Sequence, residues 1–238
     1  MQKKAAIIQF SPAYGPAEVN LPSLSRLIRE AANAKASLII LPEMCLNGYL
    51  YPSREQIEPL AEEANGSSFR FLSQLCHTLN VHLVYGFAEK ASTKLYNSQN
   101  LIDSDGHLAA TYRKRHLFEA DQPWASVGIN PYVSVKTTLG KLGLGICMDL
   151  NFNDLPEFHQ QQKTDLLCLS MHWLDEGLDV HSYWNWRLSG FQGLALISNS
   201  FGTIGDIKFC GRSSFLQRGL IIKSAPKSSE TIIYHDFL

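Results

Sequence analysis

Short apolar runs that stop abruptly at a polar residue constrain the fold of this chain more than any other feature. Leu166-Leu167-Cys168-Leu169 is apolar at every position, and Leu38-Ile39-Ile40-Leu41 and Leu142-Gly143-Leu144-Gly145-Ile146 have the same character. A strand with one face in water alternates apolar and polar residues, so these runs require cover on both faces. Amphipathic stretches at helical spacing lie between them, as in residues 22–34, where Leu24, Leu27, Ile28 and Ala31 recur on one face. Buried strands alternating with helices predict an α/β fold.

Further strands are expected at 5–10, 81–88, 95–102, 107–112, 132–136, 141–147, 166–170 and 195–200, with short ones in 208–238. Helices are expected at 56–64, 67–79, from about 155, and at 182–193. Asp103-Ser104-Asp105-Gly106 is a strong hairpin signal, and Leu139-Gly140 marks a second strand pair. Hairpins beside parallel strands imply mixed rather than purely parallel sheets. Two such sheets stacked with helices outside form a four-layer αββα sandwich. No repeat, linker or low-complexity tract divides the chain, so one domain over 1–238 is expected.

Composition removes several function classes. The 21 Lys and Arg are spread along a chain of net charge -1, which argues against a nucleic-acid partner. No apolar stretch approaches the roughly 18 to 20 residues that cross a bilayer, so no membrane association is expected. The first ten residues turn polar at Gln9, too early for a signal-peptide core. Five cysteines (45, 76, 147, 168 and 210) contain no C-x-x-C pair. Neither a disulfide framework nor a metal site is expected, and a reducing, cytoplasmic setting fits.

The chemistry concentrates where the apolar runs end. Cys147 closes one run and is followed by polar, turn-like Met148-Asp149-Leu150-Asn151. A thiol at such a strand-to-helix elbow lies beside backbone N–H groups that favour a thiolate and can hold an oxyanion. Glu43 follows Leu38–Leu41, and Lys114 sits in Thr111-Tyr112-Arg113-Lys114-Arg115-His116. A thiol near pKa ~8.5 is only a few per cent ionised at neutral pH. Lys114 would favour the anion and Glu43 accept its proton, while Lys114 and the Met148 N–H are the expected oxyanion donors. The pattern reads as a cysteine-nucleophile hydrolase that needs no metal or organic cofactor.

Pro42-Glu43 with Gly48-Tyr49, the Tyr112–Leu117 block, and Gly145-Ile146-Cys147-Met148-Asp149 together resemble the three signature blocks of the nitrilase superfamily of carbon–nitrogen hydrolases. The blocks occur in the family's order across essentially the whole chain. The resemblance implies the αββα sandwich, a Glu43–Lys114–Cys147 triad, and a homodimer. It also implies a second carboxylate that holds the lysine; Glu119 and Asp121 are the candidates, and Glu119 is favoured.

Met148-Asp149-Leu150-Asn151, Met171-His172-Trp173-Leu174, Tyr183-Trp184 and the 117–124 segment are similar to the fungal branch of protein N-terminal asparagine and glutamine amidases. That narrower resemblance implies a peptide N-terminus or another small amide as substrate. Asp149 is a candidate partner for an α-ammonium, or alternatively a cap that supports the elbow. Trp173 and Trp124 are candidate pocket walls, and His172 a pocket hydrogen-bonder or a core histidine. An ω-amidase, a ureido-acid hydrolase, a nitrilase, or a non-catalytic binding module remain alternatives.

Overall fold

The computed structural model describes residues 2–237. Its first half runs β1 (Lys3–Gln9), α1 (Ala17–Asn33), β2 (Leu38–Ile40), α2 (Arg54–Ile57), α3 (Ser67–Leu79), β3 (His82–Ala91), β4 (Lys94–Ile102) and β5 (Leu108–Arg113). The second half runs β6 (Ser134–Thr137), β7 (Gly140–Ile146), α4 (Asp154–Gln161), β8 (Leu166–Met171), α5 (Val180–Arg187) and β9 (Leu194–Asn199). It closes with β10 (Phe201–Ile204), β11 (Ile207–Cys210), β12 (Ser214–Gln217), β13 (Leu220–Ser224) and β14 (Thr231–Phe237).

Two six-stranded mixed sheets result, ordered β14-β1-β2-β3-β4-β5 and β13-β12-β9-β8-β7-β6, with β10 and β11 as a separate ribbon. In each, three parallel strands (β1-β2-β3 and β7-β8-β9) carry antiparallel neighbours on both sides. The fully apolar runs are explained by what they touch. Ala5, Ile7, Leu38 and Ile40 enter the core between the sheets with Leu144, Ile146, Leu166 and Cys168, while Leu167 and Leu169 face the α4 side of the second sheet. In the first sheet the alternate neighbours Ala6, Ile8, Ile39 and Leu41 pack outward against Leu24, Leu27 and Ile28 of α1 and Leu72 and Leu75 of α3. Period-two alternation therefore feeds two cores rather than a core and solvent. The αββα sandwich is the observed architecture.

Polar side chains cross the inter-sheet core at defined points. Ser198 Oγ donates to the Ile8 carbonyl at 2.7 Å, Ser170 Oγ to the Leu41 carbonyl at 2.7 Å, and Gln99 Nε2 to Ser170 Oγ at 2.7 Å. These bonds satisfy groups that would otherwise be costly to bury, and they set one sheet's register on the other.

Several boundaries differ from expectation. Pro22 lies inside α1, which begins at Ala17, so it sits in the second turn and leaves the Glu18 carbonyl without its i+4 N–H partner. The 56–64 helix is one α-turn followed by a 3-10 turn at Glu58–Leu60, and the 182–193 helix stops at Arg187. Met1 and Leu238 lie outside the described residues.

Candidate active site

Topology brings two of the three predicted groups to one sheet edge. Strand β5 is antiparallel to β4, which is antiparallel to β3, so β5 runs in the direction of β2. The residues after each, Glu43 and Lys114, therefore leave the first sheet at the same end. Both are fully buried, with Lys114 Nζ 2.7 Å from Glu43 Oε1 and 2.5 Å from Asp121 Oδ2.

Asp121, not Glu119, is the carboxylate on the lysine, which corrects the expectation. Glu119 is exposed, whereas Asp121 is buried and also accepts from Tyr49 Oη (3.1 Å), Asn97 Nδ2 (3.1 Å) and the Phe118 N–H (3.0 Å). The two positions are separated by a tight turn, in which the Asp121 N–H bonds to the Phe118 carbonyl, so sequence nearness to the lysine does not choose between them.

Asn97 is the residue that sequence reasoning missed. Its Nδ2 donates to both Glu43 Oε1 (2.7 Å) and Asp121 Oδ1 (3.1 Å), while its carbonyl accepts from the Lys114 N–H (2.9 Å). One residue thus holds both carboxylates and the lysine backbone. The signal was present: Asn97-Ser98-Gln99-Asn100 puts four consecutive polar residues in a strand whose flanks are apolar, and all four are buried. Burying amides without a purpose is expensive. Gly86 completes the cradle, because a Cβ there would lie 2.8 Å from Glu43 Cα and 2.5 Å from Met44 N.

Cys147 succeeds β7 of the second sheet at φ 39°, a left-handed conformation that is strained for a residue with a side chain. It opens a five-residue 3-10 turn, Cys147–Asn151, and α4 follows from Asp154, close to the expected start near 155. Asp149 holds this turn. Its Oδ2 accepts from Tyr112 Oη (2.7 Å) and the Ile146 N–H (3.1 Å), and its Oδ1 from the His116 N–H (2.9 Å) and Arg115 N–H (3.3 Å). Of the two roles open to Asp149, support of the elbow is the one observed. With four donors on a fully buried carboxylate, binding of a substrate ammonium is corrected out. The same carboxylate ties the Lys114 loop to the Cys147 turn across the two sheets.

A cavity of about 170 Å³ opens on the sulfur, lined by Cys147, Met148, Phe118, His172 and Trp173, with Leu174, Asn151 and Glu176 beyond. Trp173 and His172 are both on this lining, His172 being almost fully buried. Trp124 does not line the cavity; it is buried among Met44, Tyr49, Tyr51 and Leu95, which corrects its assignment as a wall. The His172 ring stacks on Tyr49 (4.8 Å) and meets Phe209 edge-on (4.9 Å).

The profile of carbon–nitrogen hydrolases matches residues 4–237. The chain belongs to the carbon–nitrogen hydrolase family, the nitrilase superfamily. It is 29% identical to a protein N-terminal amidase of Schizosaccharomyces pombe over 90% of this chain and 91% of that one. In fold it is similar to Saccharomyces cerevisiae Nit3, a member of branch 10 of the superfamily (TM-score 0.88, 24% identity, 99% of this chain and 89% of that one). It is also similar in fold to an amidase from Nesterenkonia sp. AN1 crystallised with covalent additions at its active-site cysteine (TM-score 0.85, 17% identity, 99% and 90% covered).

In this carbon–nitrogen hydrolase, charge balance sets the protonation of the site. Burial opposes the Lys114 ammonium, but Asp121 and Glu43 override it and hold the pKa above the ordinary lysine value. Burial pushes the Glu43 carboxyl up, and the Asp121 charge adds to it against the pull of Lys114 and Asn97. Burial likewise pushes the Cys147 thiol well up, reinforced by Glu43 and only partly offset by Lys114. The sulfur therefore rests as a thiol. Lys114 does favour the anion, as expected, but one ammonium already shared by two carboxylates is too little to create it. His172 is pushed down to about 3 by burial and by Lys114, so its ring is neutral.

Proposed function

We propose that the protein is a cysteine-dependent amidohydrolase that cleaves a carboxamide C–N bond through a Cys147 thioester and releases ammonia. One observation carries the reading. Glu43 Oε1 accepts from both Lys114 and Asn97, whereas Glu43 Oε2 is buried with no partner. An orphaned carboxylate oxygen, on a group whose pKa is raised, is what a general base needs before its proton arrives.

In the proposed cycle Glu43 Oε2 takes the thiol proton as the sulfur bonds to the amide carbon. The carbonyl electron pair moves onto oxygen. Two of the three Lys114 N–H bonds are committed to carboxylates, which leaves one for that oxygen, with the Met148 N–H as second donor. Collapse breaks the C–N bond, and the Glu43 proton leaves with nitrogen as ammonia. Glu43 then deprotonates a water that attacks the thioester, giving a carboxylic acid and restoring the thiol. Each oxyanion donor is typically worth roughly 3 to 4 kcal/mol.

The Schizosaccharomyces relative is named a protein N-terminal amidase, which supports an amide at a protein N-terminus as substrate; Asn and Gln are the residues that carry a side-chain carboxamide there, and the cavity size fits so short a side chain. The test is ammonia release from Asn- and Gln-initiated peptides, glutamine analogues and simple amides, with Cys147→Ala as control. No release from any of them overturns the proposal. Because Glu43 serves both acylation and hydrolysis in this cycle, Glu43→Gln should release no ammonia, and mass spectrometry should find no acyl adduct on its Cys147 after incubation with a turned-over amide.

A further inference from the structure

We propose that Glu176 selects amides that carry a protonated amine close to the scissile group. The inference rests on the amidase reading above and names the charge class of its substrate. A cavity of about 170 Å³ accepts an acyl portion of only a few heavy atoms, since a void near 150 Å³ is filled by a ring the size of benzene. The remainder of any larger substrate must lie at the mouth. There Phe118, Trp173 and Leu174 offer apolar surface, and Glu176 is the one side chain of the Asp/Glu/Lys/Arg class on the lining.

The carboxylate is available. Glu176 is exposed and has no ion-pair partner among the described residues. Its neighbour Asp175 takes the nearby cations instead, with Lys227 at 2.8 Å and Lys208 at 3.5 Å. Adjacent acidic residues thus have opposite fates: one is paired with two lysines, and the other stands at the opening without a cation beside it among the described residues.

The interior agrees in sign. Behind the lining, one ammonium, Lys114, faces two carboxylates, Glu43 and Asp121, within 2.7 Å, so the buried charges acting on Cys147 leave no surplus positive charge for a substrate carboxylate. An anionic amide would meet repulsion at both ends of the cavity, and a cationic one attraction. The Trp173 ring adds a face suited to an ammonium. Its backbone is fixed by the Trp173 N–H bond to Asn199 Oδ1 (2.8 Å), and its ring packs on Tyr183 and Trp184. This places the α-ammonium contact, which Asp149 does not make, on a residue 27 positions further along.

The experiment compares four substrates: an Asn-initiated peptide with a free α-amine, the same peptide N-acetylated, a neutral short amide, and the monoamide of a dicarboxylic acid. Ammonia release gives kcat/KM for wild type, Glu176→Gln and Glu176→Lys. The free-amine peptide is expected to exceed its acetylated form by about tenfold in wild type, mainly through KM. Glu176→Gln should remove most of that ratio, and Glu176→Lys should move the preference to the anionic monoamide. In parallel, the affinity of Cys147→Ser for the free-amine and acetylated peptides is measured with and without Glu176→Gln. A binding preference that depends on Glu176 without any turnover would sink the amidase reading and leave this inference standing. Equal use and equal binding of both peptides, or a preference indifferent to Glu176, overturns the inference while turnover preserves the amidase reading.

Discussion

Removing the Asp121 charge should make Cys147 more reactive toward alkylation and the enzyme a poorer catalyst. In Asp121→Asn the side chain keeps its shape, and its one remaining oxygen can serve either Tyr49 and Asn97 or the Phe118 N–H and Lys114, but not all four. The Asp121 charge raises the pKa of both Glu43 and Cys147, so its loss lowers both. At fixed pH below the thiol pKa, the thiolate fraction rises tenfold per unit, and even half a unit gives about threefold faster reaction with iodoacetamide. Lys114 loses the partner at 2.5 Å but keeps Glu43 at 2.7 Å, so the cost falls at the low end of the roughly 3 to 5 kcal/mol for breaking a buried pair. For a chain of this length about 3 kcal/mol lowers Tm by roughly 6 to 12 °C. Turnover should fall even so, because Lys114 is no longer held in place and Glu43 becomes a weaker base. Intact-mass alkylation kinetics, a thermal melt and ammonia release measured on one preparation check all three. Alkylation that is unchanged or slower in folded Asp121→Asn would refute this charge balance.

The same geometry sets other outcomes. In wild type, iodoacetamide should modify Cys147 before the other four thiols, because Cys147 lines the cavity and Cys45, Cys76, Cys168 and Cys210 do not; peptide mapping reads the order. Gly86→Ala must displace Glu43 or Met44 backbone, so kcat should drop at least about tenfold with a smaller effect on KM, checked by steady-state kinetics. Asp149→Asn replaces one acceptor oxygen by a donor facing Tyr112 and the Ile146 N–H, and should cost about 2 to 3 kcal/mol in a denaturant melt. Acid should destabilise the fold through His159 and His172, held at about 4 and about 3 by burial. Both bind protons more weakly folded than unfolded, so stability is full above about pH 6.5 and is lost as pH falls toward those values, up to roughly 3 to 5 kcal/mol per ring. His159→Gln should flatten the decline of Tm between about pH 6.5 and 4.

The alternation of apolar runs, helical stretches and hairpin turns determined the αββα sandwich, because a strand without a polar face has to be covered twice. Local sequence also exposed Glu43, Lys114 and Cys147, since each stands where an apolar run ends. Their mutual placement was not local: whether Glu119 or Asp121 meets the lysine depends on a tight turn, and whether Asp149 faces a substrate or its own backbone depends on four donors, three from the 112–116 segment and one from the end of β7. Trp124 had the composition of a pocket wall, yet its loop turns it into a cluster with Tyr49 and Tyr51. Asn97 was visible only as an unexplained polar patch in β4, and its purpose emerged when two carboxylates 24 and 54 residues away met on its amide. Periodicity reports burial, which is a property of each residue and its near neighbours. Hydrogen-bond partnership and net charge belong to sets of residues that meet only after both sheets have packed, and those decided the chemistry.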